Sequence, residues 1–129
     1  MKKVSVIICA LLFVMITTDV CAAAIKPMYT GISDLSCSLS FSGGKASCIG
    51  DVTVDESYTA SLTVTLQRKV DSVWKKVDSW KSSGTVWVSA SGTATVPKGY
   101  QYRVVASVTV KDSTGNTVDS ASITDIKTY

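Results

Sequence analysis

Polar and apolar residues alternate along most of this chain. The clearest run is residues 98–111, where every even position from Tyr100 to Val110 is apolar or aromatic. The odd positions between them carry Gln101, Arg103, Ser107 and Thr109, with Val105 as the exception. Period-two alternation of that length predicts a long strand with one face on a core. Pro97 and Gly99 punctuate its start.

Shorter runs of the same kind fill the rest. Residues 36–41 put Cys37, Leu39 and Phe41 on one face, and residues 46–52 put Ala46, Cys48, Gly50 and Val52 on one face. Between them Ser42-Gly43-Gly44-Lys45 is a strong turn signal. Residues 58–66 face Leu62, Val64 and Leu66 inward, and Asp71-Ser72 is a hairpin loop. Residues 74–82 return with conflicting parity, because Val77 is odd while Trp74 and Trp80 are even. A regular strand cannot bury all three. Either a bulge lies near Lys75-Lys76 or one Trp faces solvent.

Ser82-Ser83-Gly84 reads as a turn, followed by a strand over 85–96 interrupted by Gly92. There Val86, Val88 and Ala90 share one face and leave Trp87 on the other. Residues 112–116 form a loop and 117–125 the last strand, anchored by Val118 and Ile123. About seven strands, closely spaced turn signals and no helix pattern after the N-terminal segment predict an all-β fold. The expected form is an antiparallel β-sandwich of immunoglobulin-like type, with an up-and-down barrel as the alternative. Tyr100 and Tyr102 occupy the place of a tyrosine corner.

The N-terminus reads differently. Met1-Lys2-Lys3 is basic, residues 4–16 are almost continuously apolar, and Cys21-Ala22-Ala23-Ala24 is a small-residue run. This is the pattern of a secretory signal peptide cleaved after Ala22 or Ala24. The apolar run is too short to span a bilayer as a helix. Cys21 is not a lipidation site, because neither a Leu-like residue three before it nor a small residue directly before it is present. The expected organisation is a signal peptide (1–24), a lead-in (25–34) and a β-sandwich domain (35–129), secreted and extracellular.

Removing residues 1–24 leaves 11 basic against 9 acidic residues. That balance, interleaved along the strands, argues against nucleic acid as a partner. The chain has no His, so histidine-based triads, dyads and metal sites are excluded. Asp51, Asp55 and Glu56 cluster between strands, yet a small domain with its acids in turns rarely builds a glycosidase cleft. Neither that cluster nor Asp112 with Asn116 has the spacing of a calcium loop. An isopeptide bond at Asn116 is disfavoured by its place in a turn. The expectation is a protein that is not an enzyme and carries no cofactor and no metal.

Two cysteines remain after the signal, Cys37 and Cys48. A turn at Gly43-Gly44 sets Cys37 opposite Gly50 with Cys48 diagonal. A turn at Ser42-Gly43 sets Cys37 directly opposite Cys48, within reach of a bridge. In a secreted chain the default is a Cys37–Cys48 disulfide, contributing about 2–3 kcal/mol for so short a loop.

Trp74, Trp80 and Trp87 fall on two neighbouring segments. Outward rings on a sheet can stack on sugars, whereas inward rings fill a core. Together on one surface they would form an apolar patch that needs a partner. Two function classes follow: a non-catalytic secreted module binding a cell-surface glycan or protein through these aromatics, or a small secreted effector such as a bacteriocin-like toxin.

Gly50-Asp51-Val52 after Cys48, Thr65-Leu66-Gln67-Arg68 before Trp74, and Lys98-Gly99-Tyr100-Gln101-Tyr102-Arg103 together carry a resemblance. The chain resembles a family of small secreted proteins of Gram-positive bacteria, each a signal peptide followed by one all-β domain. The similarity covers most of residues 35–125. It implies the fold class and export, and it carries over no catalytic or binding residue.

Overall fold

Alternation along the chain becomes alternation of burial. The computed structural model describes residues 31–129; the expected signal peptide and most of the lead-in lie outside the described residues. Seven strands follow one another: β1 (Ile32–Ser42), β2 (Lys45–Val54), β3 (Thr59–Val70), β4 (Val73–Gly84), β5 (Trp87–Thr95), β6 (Gln101–Lys111) and β7 (Thr117–Thr128). Strand β6 buries Tyr102, Val104, Ala106, Val108 and Val110, as its sequence predicts.

The strands form two antiparallel sheets, β1-β2-β5 and β4-β3-β6-β7. Two open sheets packed face to face make a sandwich, not a barrel. In the constant-type immunoglobulin arrangement the fourth strand joins the first sheet; here β4 pairs with β3 in the second. Core residues come from both inner faces, among them Leu39, Val52, Leu62, Val64 and Leu66. Each large aliphatic side chain buried this way stabilises by about 1.5–3 kcal/mol.

The tyrosine corner is Tyr102. It is fully buried, and its hydroxyl donates to the Pro97 carbonyl at 2.6 Å. That bond fixes the connection from β5 into β6.

Several expectations need correction. The β1–β2 turn falls at Gly43-Gly44, both with positive φ, and pairs Ser42 with Lys45. Cys37 therefore faces Gly50 and Cys48 faces Leu39. Both cysteines are free thiols. Diagonal neighbours in a sheet sit about 7–8 Å apart, beyond the roughly 4.4–6.8 Å that a disulfide spans. The expected Cys37–Cys48 bridge is absent for that reason.

The turn expected at 82–84 is also displaced. Strand β4 runs through Gly84, and the chain changes sheet over Thr85-Val86. Trp87 N–H donates to the Thr85 carbonyl at 2.8 Å, and Val86 takes φ 67°. This is a γ-turn of the rare, strained hand. Gly92 does not interrupt β5, and β7 runs on to Thr128. Strand β1 starts at Ile32, inside the expected lead-in.

Candidate functional site

Three tryptophans on two consecutive strands end on three different surfaces. The register of β3 and β4 moves from Leu66–Asp78 to Gln67–Lys76, so Val77 is an extra, bulged residue. The bulge reverses the facing of everything before it. Trp80 pairs with inward Val64, while Trp74 pairs with outward Lys69. Both resolutions of the parity conflict are therefore realised: a bulge, and one Trp turned outward.

Trp80 packs against the core from the β4–β5 side. Trp74 lies half-buried on the outer face of the four-stranded sheet. The Arg103 guanidinium sits 4.4 Å from its ring centroid and the Lys69 ammonium 5.8 Å away. Trp87 opens β5 on the outer face of the three-stranded sheet, opposite Thr53, and is 63% exposed. The three do not form one patch.

The surface around Trp87 is built by strand pairing. Asp51 lies between Ser36 on β1 and Ser89 on β5. Being two residues before Thr53, it is the diagonal neighbour of Trp87, about 7–8 Å away on the same face. Its Oδ1 is buried and has no hydrogen-bond partner among the described residues. A buried carboxylate oxygen without a partner carries a desolvation cost. Further along the face is an open, shallow depression of about 350 Å³, lined by Ser38, Ser40, Ser47, Ile49, Ser91 and Thr93. An aromatic ring, a carboxylate and rows of hydroxyls thus share one surface.

The other carboxylates do not assemble. Asp55 and Glu56 sit in the β2–β3 turn, away from the strand position of Asp51. Among the described residues no group of three potential metal ligands gathers. Asp112 folds its own loop: its Oδ1 accepts from Thr114 N–H, Thr114 Oγ1 and Asn116 N–H at 2.9, 2.6 and 3.0 Å. Those bonds hold its carboxyl below the usual range. Asn116 is exposed in that loop, and no lysine is buried among the described residues.

Burial pushes the Cys37 thiol up to about 11, with Asp125 adding to the shift. Burial does the same for Cys48, again to about 11, with Asp78 adding. Both stay protonated at neutral pH and are poor nucleophiles.

Two features escaped the sequence reading. One is Asp51 beside Trp87, visible only once β2 and β5 are known to pair. The other is charge segregation: the charges that interleave along the chain sort by face. Lys69, Lys76, Lys81, Arg103 and Lys111 all occupy outward positions on the four-stranded sheet. Their parity within β3, β4 and β6 was the available signal, obscured in β4 by the bulge. No protein-family model matches this chain, and no curated protein matches it.

Proposed function

We propose that this protein is a non-catalytic, exported binding module that holds a cell-surface glycan on the outer face of its three-stranded sheet. One observation carries the reading: Trp87, 63% exposed, shares the outer face of the three-stranded sheet with Asp51, its diagonal neighbour across β2 and β5. A pyranose stacked on the indole would place ring hydroxyls within reach of that carboxylate. The serine rows beyond it supply further donors and acceptors along an extended chain. Export rests on the basic, apolar and small-residue segments of residues 1–24, and the Gram-positive resemblance agrees with it.

A protein partner is the second reading, favoured by Val86. It stands next to Trp87, is itself 53% exposed, and sits in a strained conformation. Strain held at an exposed apolar tip is a mark of a contact site.

Titration calorimetry of the purified protein against a panel of neutral polysaccharides tests the glycan reading. Binding by at least one, weakened about tenfold or more in Trp87→Ala and in Asp51→Asn, supports it; tenfold corresponds to about 1.4 kcal/mol. Binding by none, or binding unchanged in both variants, rejects it.

A further inference from the structure

We propose that the opposite surface, the outer face of the four-stranded sheet, is a second and separate binding site, for an anionic polysaccharide of uronate type, with Arg103 as its fixed carboxylate receptor. Arg103 is held from two sides. Its Nε donates to Gln67 Oε1 at 2.6 Å, and its guanidinium lies 4.4 Å from the centroid of the Trp74 ring. A guanidinium anchored through Nε keeps its two terminal amino groups free, and these form the fork that fits a carboxylate. The side-chain entropy normally lost when an arginine grips a ligand has already been lost in folding.

Among the described residues, no carboxylate occupies an outward strand position beside Arg103, Lys69, Lys76 or Lys81. Lys76, Gln67 and Arg103 lie in one row across β4, β3 and β6. Lys81 stands further along β4, Lys69 beside Trp74, and Lys111 at the far end of β6. The nearest acids are placed elsewhere. Asp71 is in the β3–β4 turn, Asp78 pairs with inward Leu66, Asp119 pairs with inward Val110, and Asp125 pairs with inward Val104. Among the described residues, five cations at outward strand positions with no carboxylate at such a position create a field that attracts and holds an extended polyanion.

The register also speaks for charge carried on a sugar ring. Ile126 on β7 lies directly opposite Arg103 and is 49% exposed, with outward Val105 two residues along β6. A uronate has its carboxylate attached to the pyranose. With the carboxylate in the Arg103 fork, the ring's apolar face meets Ile126 and Val105. Nucleic acid, which the overall charge balance argues against, and polyphosphate offer anions without that ring.

The test is affinity electrophoresis of the purified protein in polygalacturonate, its methyl-esterified form, polyphosphate and single-stranded DNA. Retardation by polygalacturonate, lost on esterification and weakened about tenfold or more at 0.5 M salt, is expected. Arg103→Lys keeps the charge and loses the fork, and should weaken retention at least about fivefold. Lys45→Gln removes a cation from the other outer face and should change it less than about twofold. Trp87→Ala should leave it intact, which separates this site from the one proposed above. Equal retention by the esterified polymer, stronger retention by polyphosphate or DNA, or an effect of Lys45→Gln equal to that of Arg103→Lys would overturn the proposal.

Discussion

The Trp80 indole lies on Gly92 across the gap between the two sheets. A Cβ added to Gly92 would overlap Trp80 Cε2, Nε1 and Cδ1. Trp80 comes from the edge strand β4 and Gly92 from the edge strand β5, so this contact closes one side of the sandwich. Gly92→Ala should displace the indole and destabilise by about 1–3 kcal/mol, the usual cost of overpacking. A lower denaturation midpoint with red-shifted tryptophan emission would confirm it; an unchanged midpoint would show that the indole is free to move.

The opposite side is closed by polar groups. Leu39 N–H on the edge strand β1 donates to Asp125 Oδ2 at 3.0 Å, and Lys127 Nζ donates to the Leu39 carbonyl at 2.7 Å. Asp125 and Lys127 also form an ion pair at 3.6 Å. Together they occupy backbone groups that a foreign strand would use. Asp125→Ala should cost about 1–2 kcal/mol through the unpaired amide and increase self-association. Light scattering over a concentration series reads the second effect; a monomeric variant of unchanged stability would refute this role.

Most of the architecture was legible because it depends on period two, which survives uninterrupted in β2, β3, β5 and β6 and is broken in β1 and β7 only by a single extra residue near the strand's start. Strand β4 was not legible in detail. A single bulged residue, Val77, switches the facing of Trp74; the parity conflict points to a bulge near Lys75-Lys76, but not to which tryptophan it turns outward. The cysteine register was undecidable because Ser42-Gly43 and Gly43-Gly44 are both good turn dipeptides, and the two alternatives keep the same face inward. The binding surfaces were least visible. Asp51 and Trp87 are brought together by a pairing of β2 with β5 that no local pattern encodes.

Val86 is a β-branched residue at φ 67°, a conformation that costs an L-residue about 1–2 kcal/mol relative to glycine. Its side chain is largely exposed, so little packing offsets that cost. Val86→Gly should therefore raise the melting temperature, despite the added freedom of the unfolded chain. A lower melting temperature would mean that the valine side chain stabilises more than its backbone strain costs.

Cys37 and Cys48 carry thiols pushed from near 9 up to about 11. The folded chain then keeps two protons that the unfolded chain releases, so stability is intact below about pH 9 and falls as pH rises toward about 11. In Cys37→Ala/Cys48→Ala that alkaline loss should be shallower. Denaturant midpoints at a series of pH values test this, and identical pH profiles for the variant and the parent would contradict it. Neither thiol should react with iodoacetamide at neutral pH until the protein unfolds.

The most direct test of the binding account is acrylamide quenching of tryptophan emission, in the parent protein and in Trp87→Phe, with and without the neutral polysaccharides of the panel. The account predicts that the most readily quenched component belongs to Trp87. It should vanish in Trp87→Phe and become protected in the parent when a glycan binds. A readily quenched component that persists in Trp87→Phe, or that no polysaccharide protects, would contradict the placement of the glycan site on this face.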